Sequence, residues 1–407
     1  MAIKGKKGTI GILTGGGDCP GLNPAIRGVT IRALREGYHV IGIRRGWKGL
    51  VEIVRDKDAD NYDHARELTE EVVARAARTG GTFLHSSRTR PSHLDRDAVP
   101  HHLRDTYNDD VNDLTNEVLK NLEFLGIDIL IPIGGDDTLS YAQHLHQKGF
   151  PVVAVPKTMD NDVPGTDYCI GFSTCVTRTI ELAHELRTTA GSHERILVIE
   201  VFGRYAGFTA LVPTMAGAAD RCVIPEFPAN LEHLTECLVR SRNRNPSHYA
   251  VVLVSEGAVL EGEADMHYQD DEPDQYGHKK LGGIGDYVAT QIKHHSAHYN
   301  NGQKIDVLSQ RLSYLVRCGA PDAVDSIVPM AYGNLALDLI MKGESGRLVC
   351  VNGGVYRHLP LDVVVGHKKL VDVSKYYETS RLRPKYSEFA NQPFFVMTGD
   401  IPAGITT

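Results

Sequence analysis

"PIGGDDTLSYAQHL" (132–145) decides the fold. An apolar run ends in Gly134 and Gly135, and an amphipathic stretch opens directly after it with Asp136 and Asp137. That order reads as strand, glycine turn, helix, the junction at which free backbone N–H groups face an anion. Two carboxylates are unexpected in a turn built to wrap a phosphate. One can hold a metal ion, and the other needs a separate reason.

The same rhythm recurs on both sides. "TIGILT" (9–14) predicts a strand, "NPAIRGVTIRALREG" (23–37) a helix and "HVIGIR" (39–44) the next strand. "DILIPIG" (128–134) is followed by a helix through "TLSYAQHLHQKG" and by the strand "PVVAVP" (151–156). "RILVIEV" (195–201), a helix from about Arg204 and "YAVVLVSEG" (249–257) repeat it. Short apolar strands separated by helices predict parallel sheets covered on both faces. Two such sets predict two doubly wound α/β domains. Residues 86–110 are polar and aperiodic, and "AVLEGEADMHYQDDEPDQYGHKK" (258–280) is an acidic stretch expected to be an exposed, mobile insertion. Past about Val363 the pattern fades into a tail containing "KYYETSRLRPKYSEF".

The bulk figures bound the function. A chain of 407 residues is long for one core. Its net charge of −7 gives no support to nucleic-acid binding, which needs a basic surface. The start, "MAIKGKKGTIGILT", has too short an apolar run for a signal peptide, and no run approaches the roughly 20 apolar residues of a membrane helix. Seven scattered cysteines with no CxxC pair suit reduced thiols in a cytoplasm.

Three turns carry the polar residues. "TGGGDCPGLN" (14–23) joins a strand to a helix, and its spacing departs from the G-x-G-x-x-G of dinucleotide sites. The Gly134–Asp137 turn is the second, and "PKTMDND" (156–162) is the third. In an open parallel sheet all three lie at the carboxyl ends of strands, where ligands bind. A single aspartate in such a turn is as often only a helix cap. Three aspartate-bearing turns in one crevice argue for a site.

"GGGDCPGLNPAIRG", "GGDDT", "PKTMDND", "GSHERILVIEVFGRYAG" and "VSEG", in this order from about Gly11 to Gly257, resemble the phosphofructokinase family. The likeness continues more loosely through "RCGAPDAVDS" to "VYRHLPLDVV". It implies two Rossmann-like domains with the active site between them, and phosphoryl transfer to the 1-hydroxyl of fructose 6-phosphate with Mg²⁺. On this likeness residues 1–170, completed by about 319–365, form the phosphoryl-donor domain and 171–318 the sugar-phosphate domain; 366–407 are a C-terminal extension. Asp160 matches the catalytic base, Asp136 the Mg²⁺-associated carboxylate, and Arg204 an arginine at the reacting phosphoryl and sugar. Asp162 would orient the loop or reach the metal through water. Gly17 and Gly135 fall in the donor turns. Thr158, Met159, Phe202, Gly203 and Glu256 match sugar-side positions. Arg195 matches an arginine lent to a neighbouring subunit, which implies a homodimer or homotetramer with shared sites. Tyr314 and Arg317 match the second phosphate cluster, although tyrosine stands where many ATP users have histidine. A further family arginine would fall on Leu308, with Arg311 nearby.

The second aspartate now has a reading. Relatives that use ATP usually have glycine at Asp137, which leaves room for the α-phosphate. A carboxylate there would repel that phosphate by several kcal/mol in a partly dry site. Pyrophosphate has no α-phosphate. Lys157 stands where many ATP users have glycine and can neutralise the leaving phosphate, and Tyr141 replaces a small residue that admits adenosine. Trp47 fits either donor. The combination resembles the pyrophosphate-dependent branch. The competing readings are an ATP-dependent phosphofructokinase, a kinase of another sugar phosphate such as sedoheptulose 7-phosphate, and, in a different class, a non-catalytic regulatory subunit. A nicotinamide oxidoreductase lacks its glycine motif here.

Overall fold

The computed structural model describes residues 7–263, 265–269, 277, 279–387 and 389–390. The strands of its two large sheets are, in chain order, β1 (Thr9–Thr14), β2 (His39–Ile43), β3 (Ala65–Glu67), β4 (Ile129–Gly134), β5 (Val153–Pro156), β6 (Ile196–Val201), β7 (Arg221–Val223), β8 (Ala250–Ser255), β9 (Val307–Arg311), β10 (Arg347–Asn352) and β11 (Val355–Pro360). One sheet is seven-stranded, ordered β11-β10-β5-β4-β1-β2-β3, with only β3 and β11 antiparallel to their neighbours. The other is four-stranded and parallel, ordered β9-β6-β8-β7. The chain therefore returns to the first sheet, through β10 and β11, after completing the second. This is the doubly wound α/β architecture that the strand–helix rhythm predicts.

Alternation inside the strands explains why both sheet faces are dry. Ile10 and Ile12 of β1, Ile131 and Ile133 of β4, and Val153 and Val155 of β5 enter one apolar cluster. Their neighbours Leu13, Leu130, Val152 and Ala154 enter another on the opposite face. A period of two with apolar residues on both faces is what a fully covered sheet requires. Every residue of β6 and β8 is buried.

The helices α1 (Leu22–Arg35), α2 (Asp136–Gln147), α3 (Phe172–Ser192), α4 (Phe208–Met215), α5 (Leu231–Arg244), α6 (Ile284–Tyr299) and α7 (Val324–Met341) cover the sheets. By length and composition α7 could cross a membrane. Here it packs on α1, so closely that a Cβ on Gly28 would lie 3.0 Å from the Met330 Cα. Its Asp325 is fully buried and accepts hydrogen bonds from Tyr168, Gly171 and Thr174. That is the interior of a helix pair.

One expectation changes. The helix placed from about Arg204 begins at Phe208, because Gly203 turns the chain at a φ of 119° and leaves Arg204 in the loop. The acidic centre of the insertion, 270–276, lies outside the described residues, so its expected mobility does too. Its described flanks are tied down: Gln269 N–H donates to the Lys280 carbonyl, and Gly282 N–H to that of His267. The tail docks by single contacts instead of a periodic face. Tyr377, almost fully buried, donates its hydroxyl to the Cys222 carbonyl at 2.6 Å.

Candidate active site

In the larger sheet the chain runs from β1 to β2 on one side, then crosses to β4 on the other. The crevice at this switch lies at the carboxyl ends of β1 and β4, where open α/β sheets bind ligands. Gly15 N–H donates to the Ile133 carbonyl at 3.0 Å and Lys157 N–H to the Gly134 carbonyl at 2.9 Å, so the three polar turns are stitched side by side. A Cβ on Gly134 would sit 2.4 Å from the Thr138 Cβ, so only glycine lets α2 start directly at the strand end. Gly16 has a φ of 76°, which a side chain would strain.

The third turn owes its shape to Asn161, buried in the left-handed region at a φ of 56°. Its side chain donates to the Asp167 carbonyl at 2.9 Å and accepts from Cys169 N–H at 2.7 Å. Thr158 Oγ1 accepts the Asp160 N–H at 3.2 Å. The loop is thereby fixed with Asp160 and Asp162 facing the cleft. On the other side, the turn after β6 brings the Arg204 N–H to 3.1 Å from Asp160 Oδ2.

A cavity of about 160 Å³ collects Gly17, Gly135, Asp136, Asp137, Lys157, Thr158, Asp160, Asp162 and Arg204. Most of the residues singled out in the sequence thus meet in one place. Tyr314 and Arg317 line an adjoining cavity of about 940 Å³ together with Gly16, Gly17 and Asp18. Arg317 pairs with Asp18 at 2.6 Å. Glu256 follows β8, its N–H donating to the Val201 carbonyl, and is close enough to feel the charges of Asp160 and Arg204. Met159 is 9% exposed and packs into the core, and Phe202 is half-buried against it. Arg195 immediately precedes β6, at the end of that strand away from the cleft. Arg311 pairs with the buried Glu200 at 2.9 Å, and Leu308 sits within β9.

Two charged residues of the smaller cavity escaped the sequence reading. Arg88, from the aperiodic stretch, lines both cavities. Lys368, from the tail, pairs with Asp136 at 2.6 Å and lies 4.4 Å from the centre of the Tyr205 ring. The sequence offered a signal for Arg88 only in the unusual density of Ser, Arg and Thr at 86–90, and none for Lys368.

The electrostatics follow from crowding. Burial raises the Asp160 carboxyl above its ordinary value, opposed by the Arg204 N–H and charge and reinforced by Asp136. Burial, then Asp160 and Asp136, push Asp162 up to about 7. Burial, then Asp160, push Glu256 up to about 8. Lys157 is lowered by burial; it is 5% exposed, and its ammonium donates to the Gly17 carbonyl at 2.6 Å. Burial works against the charged form of Lys368, but Asp136 outweighs it and leaves the pKa above the ordinary lysine value.

This concentration of carboxylates fits a divalent cation, whose charge would offset the burial and the mutual repulsion that together raise Asp160 and Asp162. Among the described residues no group of three or more His, Cys, Asp or Glu closes into a metal-ligand set. Mg²⁺ held by one or two carboxylates, water and substrate phosphates needs none.

A family model described as Phosphofructokinase matches residues 9–340. Over 371 residues, 90% of this chain and 96% of the other, the sequence is 38% identical to a pyrophosphate–fructose 6-phosphate 1-phosphotransferase from Dictyoglomus thermophilum. Over 368 residues, again 90% and 96%, it is 36% identical to an ATP-dependent 6-phosphofructokinase from Corynebacterium efficiens. The crystal structure of a pyrophosphate-dependent phosphofructokinase from Marinobacter aquaeolei superposes with a TM-score of 0.69 at 20% identity, covering 97% of this chain and 92% of that one. At that identity the likeness speaks for the fold alone.

Proposed function

The chain belongs to the phosphofructokinase family, and on that premise we propose that it moves a phosphoryl group from pyrophosphate to the 1-hydroxyl of fructose 6-phosphate, giving fructose 1,6-bisphosphate and phosphate. Asp160 is the base. Its raised pKa suits proton abstraction from an alcohol, and the Arg204 N–H holds the acting carboxylate in place. As the sugar oxygen bonds to phosphorus, its proton passes to Asp160 and the bridging P–O bond of pyrophosphate breaks. Lys157 neutralises the departing phosphate from its seat on the Gly17 carbonyl. Arg204 faces the transferring group. Glu256, protonated near neutrality, can both donate to and accept from a sugar hydroxyl. Mg²⁺ at Asp136 supplies charge neutralisation on the reacting phosphates when bound.

The observation that carries the choice of donor is the packing of Tyr141. It is 3% exposed, one turn along α2 from Asp137, and it stands edge-on to the fully buried Trp47 with ring centroids 4.8 Å apart. In this reading Tyr141, packed on Trp47, takes the room that a small residue leaves to adenosine in ATP users, and Asp137 lines the cleft where an α-phosphate would meet it. Overall identity does not make the choice, because the ATP-dependent relative is nearly as similar.

In this reading the donor half is built on the larger sheet and the sugar-phosphate half on the smaller. Arg195, at the strand end away from its own cleft, serves a neighbouring subunit in a homo-oligomer. The compartment is the cytoplasm, where the seven free thiols remain reduced. The test is a donor assay with fructose 6-phosphate and Mg²⁺. Product formed with pyrophosphate and not with ATP supports the reading, and the reverse preference removes it.

A further inference from the structure

We propose that Lys368 is a donor-phosphate ligand, held on Asp136 until a divalent cation takes that carboxylate. The proposal rests on Asp136 as the cation's carboxylate and on the cleft as the donor site. Lys368 lies beyond the matched family segment, which ends at residue 340. It is nevertheless part of the cavity wall, beside Lys157, Asp137 and Arg204.

The segment that delivers it is anchored on both sides of the cleft. Lys369 N–H donates to the Asp162 carbonyl at 2.9 Å, and the buried Lys369 ammonium donates to the Thr166 carbonyl at 2.6 Å. Two residues on, Val371 N–H donates to Glu226 at 2.8 Å, and Glu226 also accepts the Gly207 N–H that leads into α4. The backbone carrying Lys368 therefore spans from the Asp160–Asp162 loop to the Arg204 loop. With 33% of its side-chain surface exposed, the ammonium can be reached from the cleft.

The charge arrangement gives the ammonium its second partner. A Mg²⁺ ion at the Asp136 carboxylate weakens the attraction that holds Lys368 there, because two cations compete for one anion. The Tyr205 ring face keeps the released ammonium at the cavity wall. The new anion is the phosphate that arrives with the cation in the cavity that Lys368 and Lys157 both line. An ammonium–phosphate hydrogen bond then replaces the ammonium–carboxylate one.

The test is titration of the full-length protein with imidodiphosphate in the presence of Mg²⁺, and with Mn²⁺ alone followed by electron paramagnetic resonance. Lys368→Gln is expected to lose roughly 10- to 100-fold in imidodiphosphate affinity, the worth of a charged hydrogen bond. Lys368→Arg should retain most of it. Mn²⁺ alone should bind Lys368→Gln more tightly than wild type, since its competitor is gone. Imidodiphosphate affinity within twofold of wild type in Lys368→Gln overturns the proposal. So does tighter Mn²⁺ binding without that loss, because Lys368 would then be only a counter-ion to Asp136. If wild type binds the β,γ-imido analogue of ATP and not imidodiphosphate, the donor reading fails, and the same criterion is applied to Lys368 with that analogue.

Discussion

The Arg204 N–H and the Asp160 carboxylate, 3.1 Å apart, join the loops of the two sheets across the candidate cleft. Asp160 lies in the loop after β5 of the seven-stranded sheet, and Arg204 in the turn after β6 of the four-stranded one. The Arg204 guanidinium in turn donates to the Lys279 carbonyl at 2.9 Å, at the edge of the acidic insertion. A shift between the sheets would therefore change the hydrogen bonding of Asp160 directly.

Asp160→Ala is expected to lower turnover by roughly 10²–10⁴-fold, the usual worth of a positioned base. Binding of fructose 6-phosphate should change far less, since on the proposed reading other residues hold its phosphate. Steady-state kinetics with equilibrium binding separates the two. Near-normal turnover would take the role of base away from Asp160.

Asp137→Gly should raise the ratio of ATP- to pyrophosphate-dependent turnover, but only weakly, because on the proposed reading Tyr141 still crowds the room adenosine needs. Adding Tyr141→Gly should favour ATP further, with the two changes coupled through one ligand. The packing adds a consequence: removing the Tyr141 ring from its buried contact with Trp47 should cost about 3–5 kcal/mol, read as a lowered denaturation midpoint. An unchanged donor ratio in Asp137→Gly would make Asp137 an ordinary helix-start aspartate.

Glu256 supplies a pH signature. Its carboxyl is raised to about 8 from an ordinary 4.5, so between those values the folded chain holds a proton that the unfolded chain has lost. The stability it contributes is present below pH 4.5 and is lost as pH rises through 8. The slope is at most about 1.4 kcal/mol per pH unit. Glu256→Gln should flatten denaturant-measured stability across this range in ligand-free protein. An identical pH profile in both proteins would contradict the raised value.

Arg195→Ala and Asp160→Ala chains, each nearly inactive, should regenerate activity when mixed under conditions where subunits exchange. A hybrid can assemble one site with an intact base and an intact neighbouring arginine. Exchange shown by mass with no recovered activity would confine the site to one chain.

Asn161 marks the boundary of what could be read from "PKTMDND". The loop's place at a strand end was legible, because Val153–Pro156 is an apolar run that a glycine turn and a helix precede. The left-handed φ that aims Asp160 and Asp162 was not. It depends on Asp167 and Cys169 receiving the Asn161 side chain, contacts that exist only once the chain has folded back.

By itself, then, the sequence determined what local chemistry can determine. Short apolar runs separated by helices, with glycine turns, predicted two mainly parallel sheets and put Gly17, Asp136, Asp137, Lys157 and Asp160 at strand ends, since strand burial and helix-start chemistry act over a few residues. Tertiary structure alone decided the rest. It brought Lys368 onto Asp136 across 232 positions of chain, placed Arg88 in the cleft, and packed Trp47 against Tyr141. Ion pairs and ring contacts act through space with no repeat along the chain, so these pairings left no periodic pattern to read.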